Sequence, residues 1–158
     1  MAVPGDLLLT IPNVSEGRDA GLITAIGAAF GAPGARLLDV HSDPDHHRTV
    51  YTLAGTPGEI VAALVSGARA CREHIDLRAE RGSHPHVGAL DVAPVVFLDA
   101  ARRGPACAAA LVAGEEFGRS GLPVFLYGVL AGGRSRAQLR RGGLRALTER
   151  IALGEIAP

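Results

Sequence analysis

The sequence contains no lysine and no tryptophan, and its formal net charge at pH 7 is zero. The missing lysine excludes a Schiff-base lysine and a phosphate-loop lysine within these 158 residues. A balanced charge with a pI near 7 disfavours charge-driven binding to nucleic acid or to a membrane surface. No apolar run approaches the roughly 18 residues that cross a bilayer. We therefore expect neither nucleic acid nor a membrane as a partner.

Cysteine is also scarce: Cys71 and Cys107 are far apart, and each lies in an alanine-rich stretch with helical spacing. We interpret them as buried small apolar residues of a reducing compartment, not as a disulfide or a metal framework. The first residues show neither a basic flank nor a long apolar core, so no signal peptide is expected. Together these features predict a cytoplasmic protein.

The spacing of apolar residues and turn residues predicts an α+β protein. After a first strand and a turn over residues 12–17, Ser15 and Asp19 are alternative caps of the first helix. Thr56 and Glu59 form a capping box before the second helix. In chain order we expect strand 7–11, helix 22–30, strand 36–41, strand 48–54, helix 57–75 and strand 90–98. This βαββαβ order is the split βαβ, or ferredoxin-like, arrangement.

Further elements are appended to that core. They are a helix over about 104–118, a fifth strand over 123–127, and a helical tail from Ser135 to about Leu153 that breaks at Gly142 and Gly143. Pro94, inside the fourth strand, implies an edge position or a bulge. The chain shows no internal repeat and no low-complexity linker, so we expect one domain over residues 1–158.

A first polar stretch runs from Asp39 to Arg48, between the second and third strands. If the strand geometry persists, alternate residues point to one side, namely Asp39, His41, Asp43 and Asp45. A solvated hairpin is the simpler interpretation for the outer aspartates. A metal site is a rival, but the spacing fits no standard scheme, and Pro44 stands where a calcium loop requires glycine.

A second polar stretch places His84 and His86 in a loop just before an apolar strand. Pro85 biases His84 towards an extended backbone, and Gly82 and Gly88 let the chain turn and a ligand approach closely. An imidazole in such a loop can take and give a proton near neutral pH. The alternative is a surface loop with two solvated histidines. Nucleophilic catalysis is disfavoured, because the chain has no Gly-x-Ser-x-Gly elbow.

Four segments resemble motifs of the glutamate formiminotransferase family, in the family's order. They are Ile-Pro-Asn-Val-Ser-Glu-Gly-Arg at 11–18, His-His-Arg-Thr-Val-Tyr-Thr-Leu-Ala-Gly at 46–55, His-Pro-His-Val-Gly-Ala-Leu-Asp-Val at 84–92 and Pro-Val-Phe-Leu-Tyr-Gly at 123–128. They span nearly the whole chain. The resemblance is to the N-terminal half of the formiminotransferase domain, as found in formiminotransferase-cyclodeaminase.

The resemblance implies transfer of a formimino group, or in some relatives a formyl group, between glutamate and tetrahydrofolate. Tetrahydrofolate would be the co-substrate, and no metal would be needed. The family's catalytic histidine falls on His84, its nearby acid on Asp39 and its substrate-side arginine on Arg48. The other residues expected to bind substrate are Arg18, His46 and His86. Two positions depart from the family, which usually has asparagine at His47 and arginine at His86.

The family's domain has two similar ferredoxin-like halves with folate between them, and the second half is absent from residues 1–158. The resemblance therefore implies a homodimer or a complex with a separate second subdomain. Two alternatives stay open. One is a non-catalytic folate- or amino-acid-binding module that works with a partner subunit, and the other is a metal-assisted hydrolase that uses the cluster from Asp39 to His47.

Overall fold

The computed structural model describes residues 6–79, 83 and 86–158. Its strands are β1 (Leu8–Thr10), β2 (Asn13–Val14), β3 (Arg36–Asp43), β4 (Arg48–Gly55), β5 (Leu90–Val92) and β6 (Val95–Val96). Its α-helices are α1 (Ala20–Gly31), α2 (Pro57–His74), α3 (Arg103–Arg119), α4 (Arg136–Arg140) and α5 (Gly143–Ala152). All strand pairs are antiparallel, so the prediction of an α+β protein is confirmed.

The sheet is built around β4. On one side β4 pairs with β3, and on the other it pairs with β1 and β2, which in turn pair with β6 and β5. Proline interrupts the strands on this side of β4 at two places, because Pro12 lies between β1 and β2, and Pro94 lies between β5 and β6. The edge position predicted from Pro94 is confirmed for the described residues.

The turn predicted over residues 12–17 is partly wrong. Asn13 and Val14 form β2 because strands flank them on both sides: Asn13 is paired with Val50 and with Val92. Their pairing with β5 shifts register between Asn13 and Val14. This irregularity locally interrupts the ladder between β2 and β5.

Alternate residues of β4 face the helices. Tyr51 and Leu53 are fully buried there, and the Tyr51 ring lies 5.2 Å from that of Phe30. The Tyr51 hydroxyl donates to the carbonyl oxygen of Ile23 at 2.8 Å, so α1 is tied to the middle of the sheet. The opposite side of the sheet stays half-exposed. We call it the open face, and its residues are Leu9, Val50, Thr52, Ala54 and Val96.

Local capping signals fix the helix ends. Asp19 caps α1 by accepting from the backbone N–H of Leu22 at 2.9 Å, whereas Ser15 does not cap it. The capping box of Thr56 and Glu59 at the start of α2 is confirmed. The break in the C-terminal tail is confirmed as well. It lies between α4 and α5, where Gly142 and Gly143 have φ values of 84° and 75°.

The strand predicted over 123–127 is wrong, because these residues form no strand. Their alternation has another cause. Val124 and Leu126 lie close to Gly114 of α3, whereas Phe125 and Tyr127 pack against a separate cluster formed by the C-terminal helices. Apolar layers on both sides thus produce a strand-like pattern without a ladder. Among the described residues, no helix is long and apolar enough to cross a membrane.

The two cysteines differ in burial. Cys71 is fully buried in α2, and burial raises its pKa to about 12, so it is an inert core residue as predicted. Cys107 of α3 is only half-buried, so the prediction of burial is wrong there. Both thiols are free.

Candidate active site

Three segments distant in sequence meet at one end of the sheet. The Ser15 hydroxyl donates to the carbonyl oxygen of Gly88, and its N–H donates to that of Ala89, both at 2.9 Å. The segment that carries Ser15 also contacts the turn between β3 and β4. There, Nε of Arg18 donates to the carbonyl oxygen of Pro44 at 2.8 Å. The segment at Ser15–Arg18 therefore bridges the β3–β4 turn and residues 86–89, which we call the histidine loop.

A small polar pocket lies where these segments meet. Its volume is about 10 Å³, which holds one water molecule or one small ligand group. We call it the polar pocket, and the residues that line it are Ser15, His46, His47, Arg48, His86 and Asp91. The structure thus gathers imidazoles from two separate segments of the chain around a single point.

An aspartate orients His46 on the exposed side of the pocket. Nδ1 of His46 lies 2.6 Å from Oδ2 of Asp43. Oδ1 of Asp43 accepts from the backbone N–H groups of His46 and Asp45, each at 2.9 Å. These bonds, first the His46 N–H and then its imidazole, lower the pKa of Asp43 to about 2. An ionised Asp43 therefore accepts a hydrogen bond from Nδ1–H of His46, and Nε2 is the nitrogen of His46 that can exchange a proton with a ligand.

The low pKa of Asp43 predicts its behaviour in acid. Because the folded-state pKa lies below the ordinary value of 3.8, the His46–Asp43 contact persists above pH 3.8 and is lost as the pH falls through about 2. Carbon-13 NMR of the Asp43 carboxyl should show a midpoint near 2. In the variant His46→Ala, Asp43 keeps its bonds from the backbone N–H groups but loses the imidazole, so its carboxyl should titrate between 2 and 3.8. A wild-type midpoint at 3.8 would contradict this geometry.

His47 faces a different acid. Its Nδ1 accepts from the N–H of Gly17 at 2.9 Å, so the neutral imidazole carries its proton on Nε2. Oε1 of Glu16 lies 3.4 Å from the same Nδ1 and accepts from the backbone N–H of Arg18 and of Asp19. The φ of His47 is 52°, a left-handed conformation that histidine and asparagine adopt more readily than most residues. This conformation therefore suits a histidine as well as an asparagine at position 47.

The guanidinium of Arg48 contacts two polar side chains of neighbouring strands, Asn13 and Asp91. Its Nε donates to Oδ1 of Asn13 at 2.9 Å, and Nη2 donates to the same oxygen. Nη1 lies 3.9 Å from Oδ2 of Asp91. Burial lowers the pKa of Arg48, and the Asp91 carboxylate opposes that effect. The guanidinium therefore joins β2, β4 and β5 beneath the pocket.

Asp91 is the buried anion of the site, since only 3% of its side chain is exposed. Oδ1 accepts from the backbone N–H of Val87 at 2.7 Å and of Gly88 at 3.2 Å. Oδ2 lies 2.7 Å from Nη2 of Arg140. The direction of that contact departs from hydrogen-bond geometry, so it is an ion pair.

The structure places the predicted site residues as follows. His46, Arg48 and His86 line the polar pocket, and Arg18 holds the turn beside it. Asp39 lies opposite Thr52, on the same side of β3 as Asp43 but about 13 Å further along the strand. It does not line the pocket. His84 lies outside the described residues, so its role stays a prediction.

Two acids of the site, Glu16 and Asp91, were not predicted from the sequence as site residues. Asp43 and His47 were considered only as members of the Asp39–His47 cluster in the metal-assisted alternative. Asp91 carried a usable signal, because a carboxylate inside an otherwise apolar strand is buried only when charged or hydrogen-bonding partners meet it. Among the described residues, no group of three or more histidine, cysteine, aspartate or glutamate side chains is arranged to hold a metal ion.

A larger apolar groove begins beside the pocket and shares Asp91 with it. Its volume is about 810 Å³, and it runs between the β5–β6 edge, α3 and the C-terminal helices. Phe125 and Tyr127 line it together with Arg136 and Arg140. Burial raises the pKa of Tyr127, and these two arginines oppose the rise by their positive charge. The groove thus combines aromatic surface with cationic groups.

Comparison with known proteins agrees with the four motifs. Residues 7–158 match the sequence model of the formiminotransferase domain, N-terminal subdomain. The chain belongs to this family. The formiminotransferase subdomain is 38% identical to the formimidoyltransferase-cyclodeaminase of Sus scrofa over 96% of its own length and 29% of that protein.

Two shorter relatives carry the name glutamate formimidoyltransferase. The protein of Thermoplasma acidophilum is 36% identical over 84% of this chain and 45% of its own length. The protein of Streptococcus pyogenes is 33% identical over 94% of this chain and 51% of its own length. The formiminotransferase subdomain therefore spans about half of these relatives.

Proposed function

We propose that this subdomain serves the transfer of a formimino group from N-formiminoglutamate to tetrahydrofolate, with an imidazole as general acid and base. The observation that carries the proposal is the meeting of three family motifs around one pocket with imidazoles on two of them. The names of the Thermoplasma and Streptococcus relatives support the reaction class.

The proposed chemistry needs two proton transfers, one from the attacking nitrogen and one to the departing nitrogen of the formimino carbon. The folate amine attacks the formimino carbon, a new C–N bond forms, and the attacking nitrogen gives its proton to the imidazole. The resulting tetrahedral intermediate breaks its C–N bond to glutamate. The imidazolium then returns the proton to the departing glutamate nitrogen. General acid–base catalysis of this kind contributes about 10²–10⁴-fold.

His84 is the imidazole that we propose for this role. Its chain neighbour Ser83 donates from both N–H and Oγ to the carbonyl oxygen of Asp45, at 3.1 and 3.0 Å. On the other side of the loop, Val87 is bonded to Asp91. These anchors at the polar pocket support a catalytic role for the loop. We keep Asp39 as the proposed acid, and Asp43 is a second candidate because it contacts His46.

Anionic substrate groups would be met by arginines and histidines around the pocket. We propose Arg18, Arg48, His46 and His86 as substrate-binding residues. Arg48 would do this while bonded to Asn13, which fixes the direction of its guanidinium. The apolar groove is the part of the tetrahydrofolate site that this chain would supply, because its aromatic and cationic residues suit a flat ring system that ends in carboxylates.

We further propose the ferredoxin-like arrangement for the fold. If β1 with β2 and β5 with β6 are each counted as one interrupted strand, the sheet order is second, third, first, fourth strand, all antiparallel. The alternating burial of β4 supports helices on one side only. The open face then remains for a partner. Since the family's two halves are similar, we propose a second copy of this chain as its occupant.

Self-association through the open face can be measured by light scattering. At micromolar concentration the chain should have twice its 16.2 kDa mass. Val50→Glu places a charge on the open face and should give a monomer, because an unpaired charge is costly to bury. The matched variant Val112→Glu, on an exposed position of α3, should stay dimeric. A wild-type monomer would contradict a dimer and leave the separate second subdomain as the partner.

The proposed function is tested by a transfer assay paired with calorimetry. The chain is incubated with N-formiminoglutamate and tetrahydrofolate, and released glutamate and formimino-tetrahydrofolate are measured by mass spectrometry. Turnover that requires both substrates supports the proposal, and formyl-glutamate in place of the formimino substrate tests the other one-carbon group. Binding of tetrahydrofolate without turnover would favour the non-catalytic binding module.

A further inference from the structure

We propose that Asp91 is the positioning residue of the histidine loop and that it links this loop to helix α4. Its carboxylate oxygen Oδ1 accepts hydrogen bonds from the backbone N–H groups of Val87 and Gly88, the two residues that follow His86. A single oxygen thereby fixes the direction in which the loop leaves the polar pocket. Because the side chain is 3% exposed, water does not compete for these bonds.

The other carboxylate oxygen, Oδ2, contacts the C-terminal part of the chain. Nη2 of Arg140 lies 2.7 Å from Oδ2 and donates to the backbone carbonyl oxygen of Asp91 at 3.1 Å. Arg140 is the last residue of α4, and the neighbouring Leu139 is 5% exposed. A capping box of Ser135 and Gln138 begins this helix. Helix α4 is therefore capped at its start and packed through Leu139, so Arg140 is held in place beside Asp91.

The contacts of Oδ1 with the histidine loop and of Oδ2 with Arg140 depend on each other for an electrostatic reason. A buried carboxylate is disfavoured unless charged or hydrogen-bonding partners compensate it, so the negative charge to which the loop N–H groups donate is stabilised by the nearby cations. Arg140 is the nearer cation, and Arg48 is 3.9 Å away. Displacement of α4 would weaken the hold of Asp91 on Val87 and Gly88. The position of α4 thus sets the geometry of His86.

Amide hydrogen exchange on the intact chain tests this link without any assay of activity. In Asp91→Ala, the amides of Val87 and Gly88 should exchange about tenfold faster or more, because their acceptor is gone. Asp91→Asn keeps one acceptor oxygen and should restore most of the protection. Asp99→Ala, which removes an exposed aspartate paired with Arg102, is the matched control and should leave both amides unchanged.

A second variant keeps the proposal falsifiable if Asp91→Ala does not fold. Arg140→Gln leaves the Asp91 oxygens in place but removes the compensating charge. It should speed exchange at Val87 and Gly88 while the amide of Leu53, in the middle of β4, keeps its wild-type rate. Unchanged rates at both loop amides in a folded Arg140→Gln or Asp91→Ala variant would overturn the proposal.

The catalytic consequence rests on the proposed function. In the transfer assay, Arg140→Gln should lower kcat by about tenfold, because the loop is misplaced, and should raise the KM for tetrahydrofolate as well, because Arg140 also lines the apolar groove. Faster loop exchange with unchanged kcat would overturn the catalytic part alone. If the wild-type chain shows no turnover, the proposed function fails, and the exchange rates still decide the structural part.

Discussion

Replacing His84 by alanine should lower the transfer rate by about 10²–10⁴-fold while the chain stays folded. The reason is that the proposed step needs a group that both accepts and returns a proton, and alanine can do neither. Steady-state rates with both substrates, together with circular dichroism of the variant, measure this. Because the loss is in proton transfer, kcat should fall far more than KM rises.

The matched control for His84→Ala is His74→Ala. His74 is an exposed imidazole at the end of α2, and it does not line the polar pocket. Its removal should leave the rate unchanged. If His84→Ala retains the wild-type rate, the assignment of His84 is wrong, and the oriented imidazole of His46 becomes the next candidate.

Replacing Gly17 by alanine should destabilise the fold by about 1–3 kcal/mol and disturb the site as well. A Cβ at this position would overlap the backbone of Asp43, His47 and Arg48. These are main-chain atoms of the β3–β4 turn, so no flexible side chain can move aside. The turn must shift, and with it the His47 imidazole that accepts the Gly17 N–H. Urea unfolding gives the change in stability.

Gly31→Ala is the control for this effect. Gly31 ends α1, and a Cβ there would meet no atom within 4 Å. This variant should be as stable as the wild type or slightly more stable, because alanine loses less chain entropy than glycine on folding. Equal unfolding free energies for Gly17→Ala and Gly31→Ala would show that the turn does not press against Gly17.

The elements that local signals determine were predictable from the sequence. The cap at Asp19, the capping box at Thr56 and the glycine break at Gly142 each act within a few residues, and all are present in the structure. The segment 123–127 was not predictable, because its apolar alternation serves two packing layers and not a ladder. Asn13 and Val14 were missed for the opposite reason, since pairing on both sides overrides their turn propensity.

The candidate site was predictable only as far as its motifs. The segments that carry His46, Arg48 and His86 were expected, and the structure brings these residues together. The partner of Asp91 could not be predicted from the sequence, because Arg140 is 49 residues away and reaches Asp91 only when α4 docks. Period two correctly placed Asp39 and Asp43 on one side of β3, but it could not say which of them stands beside an imidazole.

A structure of the chain with tetrahydrofolate bound tests the central claim most directly. We expect folate in the apolar groove, with its reacting amine directed past Asp91 into the polar pocket and within about 3–3.5 Å of an imidazole nitrogen. Folate bound elsewhere on the chain, or seated with its amine turned away from every histidine of the pocket, would contradict the proposed transfer chemistry.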